Sequence, residues 1–225
     1  AGVQWIVNVA DDLPSSEAAL QLAVATSHLY GTVGVHPHEA GCWNQETEQR
    51  LRQLLATFQA VAVGEIGLDY HYDFTPRELQ IEAFRAQLQL AKEFALPVVV
   101  HNREADKDAL PLLEQAAPLK GVMHCFWSDA ATARQALDQG LYLGVGGPIT
   151  FGNTDDLRAV LKEVPLERLV LETDAPYLAP KPYRGRRNEP ALVVKVAEAL
   201  AALHDRSLAY VARQTSENAQ QLFLG

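Results

Sequence analysis

Short apolar runs alternate along the chain with longer stretches in which apolar residues fall three or four positions apart. The runs fit strands buried on both faces, and the longer stretches fit amphipathic helices. Strands are predicted near Gln4–Val9, Thr32–Val35, Ala60–Glu65, Pro97–His101, Gly121–His124, Leu141–Val145 and Leu169–Glu172. Helices are predicted near Ser16–Tyr30, Glu46–Phe58, Pro76–Phe94, Asp106–Ala116, Ala130–Gln139 and Asp155–Glu163, with Ala191–His204 and Ser207–Leu222 closing the chain. Thr75-Pro76-Arg77-Glu78 carries a helix-start signal: a capping hydroxyl, a proline in the first turn and a reciprocal glutamate. Gly31, Gly121 and Gly140 stand where a helix hands over to a strand.

Regular strand-helix alternation implies a parallel sheet, and near-continuous apolar strands imply one covered on both sides or closed. The pattern predicts an α/β fold, a TIM (β/α)8 barrel forming a single domain over residues 1–225. Such a barrel needs eight strands, and seven are counted. Ala1-Gly2 before Val3–Val7 reads as the end of a helix and its cap. The expectation is therefore that a first strand and helix, roughly 30 residues, precede this chain.

Composition adds bounds. A chain of 225 residues with 48% hydrophobic content can bury one substantial core. No apolar run approaches membrane-spanning length. Cys42 and Cys125 form no CxxC pair, which fits a reducing compartment and predicts a cytoplasmic protein. The formal net charge of −9 argues against broad adhesion to nucleic acid or anionic membrane. It leaves room for local phosphate binding, for which Lys181, Arg184, Arg186 and Arg187 supply a cationic loop.

In a barrel, chemistry gathers at the carboxyl ends of the strands. There the sequence puts His36-Pro37-His38, Glu65, His101 with Arg103, His124, and Glu172-Thr173-Asp174. Alone, His101 or His124 reads as a hydrogen-bonded buried histidine and Glu65 as a salt-bridged carboxylate. Together, two histidines and two or three carboxylates match the ligands of a divalent hydrolytic metal. The proline in His36-Pro37-His38 suits a loop, so these residues are expected to orient substrate or cap the site rather than ligate. Arg103 is a candidate phosphate fork. No set of aromatic platforms for stacking bases is evident, so base preference is not legible.

At GVHPHEA (Gly34–Ala40), VGEIGLDY (Val63–Tyr70), PVVVHNREA (Pro97–Ala105), GVMHCF (Gly121–Phe126), LVLETDAPYLAP (Leu169–Pro180) and RGRRNEP (Arg184–Pro190) the sequence resembles the TatD family of metal-dependent deoxyribonucleases, amidohydrolase-like TIM barrels. The stretches run in order over nearly the whole chain. The resemblance implies hydrolysis of DNA phosphodiesters, as a 3′-to-5′ exonuclease, by water activated at one or two divalent ions (Mg, Mn or Zn). It implies that Glu65 bridges two ions, that His101 and His124 complete one ion's ligands, and that Asp174 binds the other and takes the proton of the attacking water. His36, Arg103 and Arg184 become candidate phosphate contacts, while Glu172 and His38 support the ligands from outside. The family's second ion also takes an HxH pair from the first strand. That pair is not in this sequence, in keeping with the strand count, and its absence leaves Glu65, His101 and His124 as a three-ligand set for one ion. A DNA substrate, no membrane, no obligate protein partner and a monomeric state are expected.

Two other readings stand beside this one. The same barrel can hydrolyse another ester, a lactone or an amide. A chain without its first strand can also bind metal without turnover.

Overall fold

The computed structural model describes residues 1–72 and 74–225. Among these, all seven expected strands form, and contacts divide the chain into two compact units, Gln4–Val122 and Met123–Gly225 with Ala1–Val3.

The first unit runs β1 (Ile6–Asn8), α1 (Leu13–Ala25), β2 (Leu29–Val33), α2 (Gln45–Thr57), β3 (Ala62–Asp69), α3 (Arg77–Glu93), β4 (Val98–Arg103) and α4 (Asp106–Ala116), and leads into β5 (Gly121–Met123). Strands β1 to β4 pair in chain order, all parallel. Ile66, Leu68, Val98 and Val100 are buried with Phe84 and Leu88 of α3. This is the burial expected of a parallel sheet covered by helices.

Local chemistry moves several boundaries. Helix α1 starts three residues before the expected Ser16, because Asp12 and Ser15 form a reciprocal cap. The Asp12 carboxylate accepts the Ser15 N–H at 2.7 Å and Ser15 Oγ accepts the Asp12 N–H at 2.9 Å. The helix ends at Ala25, and Leu29 and Tyr30, expected within it, are strand. Gly31 is likewise inside β2 and caps nothing. A Cβ there would lie 2.9 Å from the Ala19 backbone, so glycine lets α1 lie close on the strand. Thr75 does not cap α3 either: its hydroxyl donates to the His38 carbonyl at 2.7 Å, and no side chain caps that helix.

The largest correction concerns β3, which continues four residues beyond the expected end at Glu65. Its register with β4 runs Val63 to Val98, then Ile66 to Val100, so Gly64 and Glu65 together oppose Val99. One extra residue on one strand is a β-bulge, a device that re-aims a side chain without ending the ladder. Pairing then resumes to Asp69 opposite Arg103. Gly67 makes this possible: its φ is +148°, and a Cβ there would run into the His101 carbonyl oxygen.

The second unit contains α5 (Ala130–Asp138), β6 (Tyr142–Val145), α6 (Asp155–Glu163), β7 (Leu169–Leu171), α7 (Val193–Leu203) and α8 (Leu208–Phe223), with β6 and β7 parallel. Leu141, Leu143 and Leu169 are buried with Val196, Leu200 and Val211. Buried Asn218 of α8 donates to the carbonyls of Leu166 and Leu169, both at 2.7 Å, which fixes the entry to β7.

Candidate functional site

In the first unit the bulged Glu65 is one of few polar residues in β3, and it meets His101 of β4. Glu65 Oε1 lies 2.8 Å from His101 Nδ1. The other ring nitrogen of His101 lies 3.0 Å from Asp69 Oδ2, and the same oxygen takes His38 Nε2 at 2.9 Å. Asp69 Oδ1 accepts the backbone N–H groups of His71 and Tyr72, both at 2.9 Å. Burial alone would raise this carboxyl. The hydrogen bonds from His101, Tyr72 and His38 outweigh it and hold Asp69 well below the usual carboxylate range.

Helix α3 fixes the frame of this cluster with two buried glutamines spaced two helical turns apart. Gln80 accepts the Asp69 N–H at 2.8 Å and donates to the Asp69 and Thr75 carbonyls. Gln87 accepts the Val35 N–H at 2.7 Å and returns a bond to the Val35 carbonyl at 3.0 Å. The strand ends that carry Asp69 and His36 are thereby held by side chains of one helix.

His36, Glu65 and His101 each offer a ligand atom within 4.8 Å of the others, close enough to share an ion. The hydrogen bonding of His36 gives it a different character from His101. Its Nδ1 accepts the His38 backbone N–H at 3.1 Å, which leaves the proton of the neutral ring on Nε2. Burial pushes its pKa down to about 3, against the opposing pull of Glu65, so the ring is neutral near pH 7. Its Nε2 lies 3.7 Å from Glu65 Oε1, beyond hydrogen-bond reach. The result is a neutral N–H donor beside a carboxylate.

The second unit repeats the arrangement of His101. His124, just after β5, has Nδ1 2.8 Å from Glu172 Oε2 and Nε2 3.2 Å from Asp174 Oδ1. Glu172 Oε1 accepts the Cys125 N–H at 2.8 Å, which leaves the carboxylate no freedom to turn. Asp174 has φ +58°, in the left-handed region that Asp tolerates better than most residues. Buried Asn188 pins the loop around it, donating to the Thr173 and Tyr177 carbonyls, both at 2.6 Å.

In both units an imidazole stands between two carboxylates. Ionised carboxylates only accept, and a neutral imidazole has one N–H. Each ring therefore satisfies one carboxylate and turns a lone pair towards the other, unless a second proton or a cation intervenes. That nitrogen-and-oxygen donor set fits a divalent ion.

Of the predicted phosphate contacts, Arg103 and Arg184 lie on the surface of their units, whereas His36 sits within the cluster. The Arg103 guanidinium carbon is 4.9 Å from the Tyr72 ring centre, and that of Arg184 is 3.7 Å from the Phe151 ring centre. Lys181, Arg186 and Arg187 are exposed as well, whereas Asn188 at the end of the same loop is structural.

Sequence reasoning missed three features. Asp69 is the hub of the first cluster, and its signal was its place at the carboxyl end of β3, hidden by an expected strand end at Glu65. The glutamines of α3 carry no signal separable from an ordinary helix face. Tyr72 and Phe74 stack on one another, ring centres 5.3 Å apart and planes within 5°, an aromatic pair where none was expected.

A profile of TatD-related DNases matches residues 1–224. The chain is 41% identical over 223 residues to a Bacillus subtilis protein called "Uncharacterized metal-dependent hydrolase YabD", covering 98% of this chain and 88% of that one. It is 40% identical over 232 residues to the "3'-5' ssDNA/RNA exonuclease TatD" of Cronobacter sakazakii, covering 100% of this chain and 88% of that one. The crystal structure of YjjV, a TatD homologue from Escherichia coli K12, matches with a TM-score of 0.94 at 31% identity, over 100% of this chain and 88% of that chain. The α/β fold is thus that of the TatD TIM barrels, and the chain belongs to the TatD family of metal-dependent hydrolases.

Proposed function

We propose that this chain hydrolyses DNA phosphodiester bonds as a 3′-to-5′ exonuclease acting on single strands. The observation that carries the reading is the repeated carboxylate–imidazole–carboxylate arrangement, Glu65–His101–Asp69 and Glu172–His124–Asp174, in a member of this family. The exonuclease name of relatives at about 40% identity supports the substrate.

Glu65, His101, His124 and Asp174 are the proposed ligands for one or two ions of Mg, Mn or Zn. Such an ion supplies Lewis acidity and lowers the pKa of bound water. Glu172 and Asp69 hold the two imidazoles in the tautomers that ligation needs. Asp174 takes the proton of the attacking water, and the N–H of neutral His36 donates to a phosphate oxygen. Arg103 and Arg184 add positive charge for the phosphate chain in a protein whose formal net charge is −9. We read the protein as one catalytic domain, monomeric and cytoplasmic, with no obligate protein partner. No helix among the described residues is long and apolar enough to cross a membrane.

The test uses single-stranded DNA labelled at either end, with each of the three metals and with chelator, beside a lactone and a carboxylic ester. Metal-dependent shortening from the 3′ end supports the reading. Turnover of the lactone or ester with DNA left intact replaces it with another hydrolase, and no turnover of any substrate by a metal-loaded protein replaces it with a metal-binding protein.

A further inference from the structure

The stacked pair Tyr72–Phe74 has no role in the mechanism above, and burial does not account for it. Tyr72 is 41% and Phe74 68% exposed. Two large rings kept in water, stacked rather than folded inward, forgo the gain from burial. Their positions are nonetheless defined. The His38 ring packs edge-on against both, at 4.8 Å from Phe74 and 5.5 Å from Tyr72, and the Arg103 guanidinium lies over Tyr72. Through His38 the pair is one hydrogen bond from Asp69 and two from His101.

We infer that Tyr72 and Phe74 form a stacking platform for one unpaired nucleobase of single-stranded DNA, with Arg103 beside it to meet the adjoining phosphate. The inference rests on the phosphodiesterase reading and deepens it by naming the residues that select an unpaired strand. An exposed aromatic face next to a cation matches a nucleotide on both of its parts, the flat base and the anionic phosphate. Inside a duplex the base faces are already covered by their neighbours, so the platform favours an unpaired base. Stacking does not read hydrogen-bond edges, so the platform tolerates any base.

The test compares binding of two end-labelled DNA strands of equal length, one carrying bases and one abasic, by fluorescence anisotropy in chelator. Phe74→Ala is expected to weaken binding of the base-carrying strand about tenfold or more and to leave the abasic strand unchanged. Phe74→Trp is expected to restore it. Equal losses on both strands, or no loss on either, overturn the platform, as does a wild-type protein that binds both strands equally. Hydrolysis of both strands by wild type with metal is measured in parallel. A base-dependent loss of binding without hydrolysis removes the nuclease reading and keeps the platform, while hydrolysis without that loss does the reverse.

Discussion

Asp69 Oδ2 lies 3.0 Å from Nε2 of His101, and it does so from a carboxylate that is only 1% exposed. The same oxygen holds His38, and the other holds the turn at His71 and Tyr72. Asp69→Asn keeps the shape but replaces one anionic acceptor with an amide donor. The expected result is a fall in divalent-metal affinity of about 10- to 100-fold, the usual effect of removing a carboxylate that orients a ligating imidazole. Stability falls by about 1–3 kcal/mol, because buried partners are left unsatisfied. Metal titration by calorimetry and a denaturant midpoint check both. Unchanged metal affinity would remove Asp69 from the site and leave it a purely structural acid.

Glu172 offers the matching test in the second unit. Gly144 of β6 faces it so closely that an added Cβ would overlap the Glu172 carboxylate. Gly144→Ala therefore displaces the carboxylate that holds His124 Nδ1 and the Cys125 N–H. A loss of hydrolysis of about tenfold or more is expected, in line with other supporting carboxylates, and Glu172→Gln should reproduce it. Full activity in the Gly144→Ala variant would show that the position of Glu172 is unimportant.

These residues show where sequence is informative and where it stops. Apolar runs and helical periodicity read out the alternation because each element reports its own burial. Glu65, His101, His124, Glu172 and Asp174 stood out because a charged or ligating side chain beside an apolar strand is costly without a partner. The bulge did not stand out. It depends on the register of β3 against β4, and only pairing reveals that two residues oppose one. Gln80, Gln87 and Asn188 were silent for a related reason: each satisfies backbone groups far away in sequence, and nothing local marks the residue. Thr75 does not cap its helix because its hydroxyl donates to the His38 carbonyl instead, a partner far off in sequence.

Arg184 tests the cationic loop. Its guanidinium is over the Phe151 ring, exposed, and outside the histidine clusters. Arg184→Ala is expected to raise KM for DNA several-fold and reduce the dependence of binding on salt by about one phosphate contact, with metal content unchanged. An identical KM and salt slope would take this loop out of substrate binding.

His204 gives a pH dependence away from the clusters. Burial, helped by the charges of Arg206 and Lys162, lowers its pKa despite its hydrogen bond to the Leu161 carbonyl at 3.0 Å. In the unfolded chain the ring titrates near 6.5. Below that value the unfolded state binds the extra proton and the folded state resists it, so stability falls as pH falls from about 6.5 towards the lowered folded value. His204→Gln removes this term. Wild type is expected to be the more stable at pH 8, and its advantage should shrink by pH 5. A gap that stays constant across denaturant midpoints at the two pH values would show that His204 titrates alike in both states.

Metal removal probes Glu65 most directly. An ion that binds only the folded chain stabilises it by RT ln(1 + [L]/Kd), about 2.7 kcal/mol at one hundred times Kd. For a protein of this size that is a rise in Tm of about 5–10 °C, reversed by chelator. Glu65→Ala takes one carboxylate from His101 and the carboxylate of the group formed with His36. The variant is expected to lose the metal-dependent rise and the hydrolysis together. Its metal-free Tm, measured beside wild type, separates this loss from the loss of the 2.8 Å contact between Glu65 and His101 Nδ1. A variant that still shows the full rise with metal would move the ion away from Glu65. One that keeps the rise but loses turnover would keep the ion and give Glu65 a role in the reaction alone.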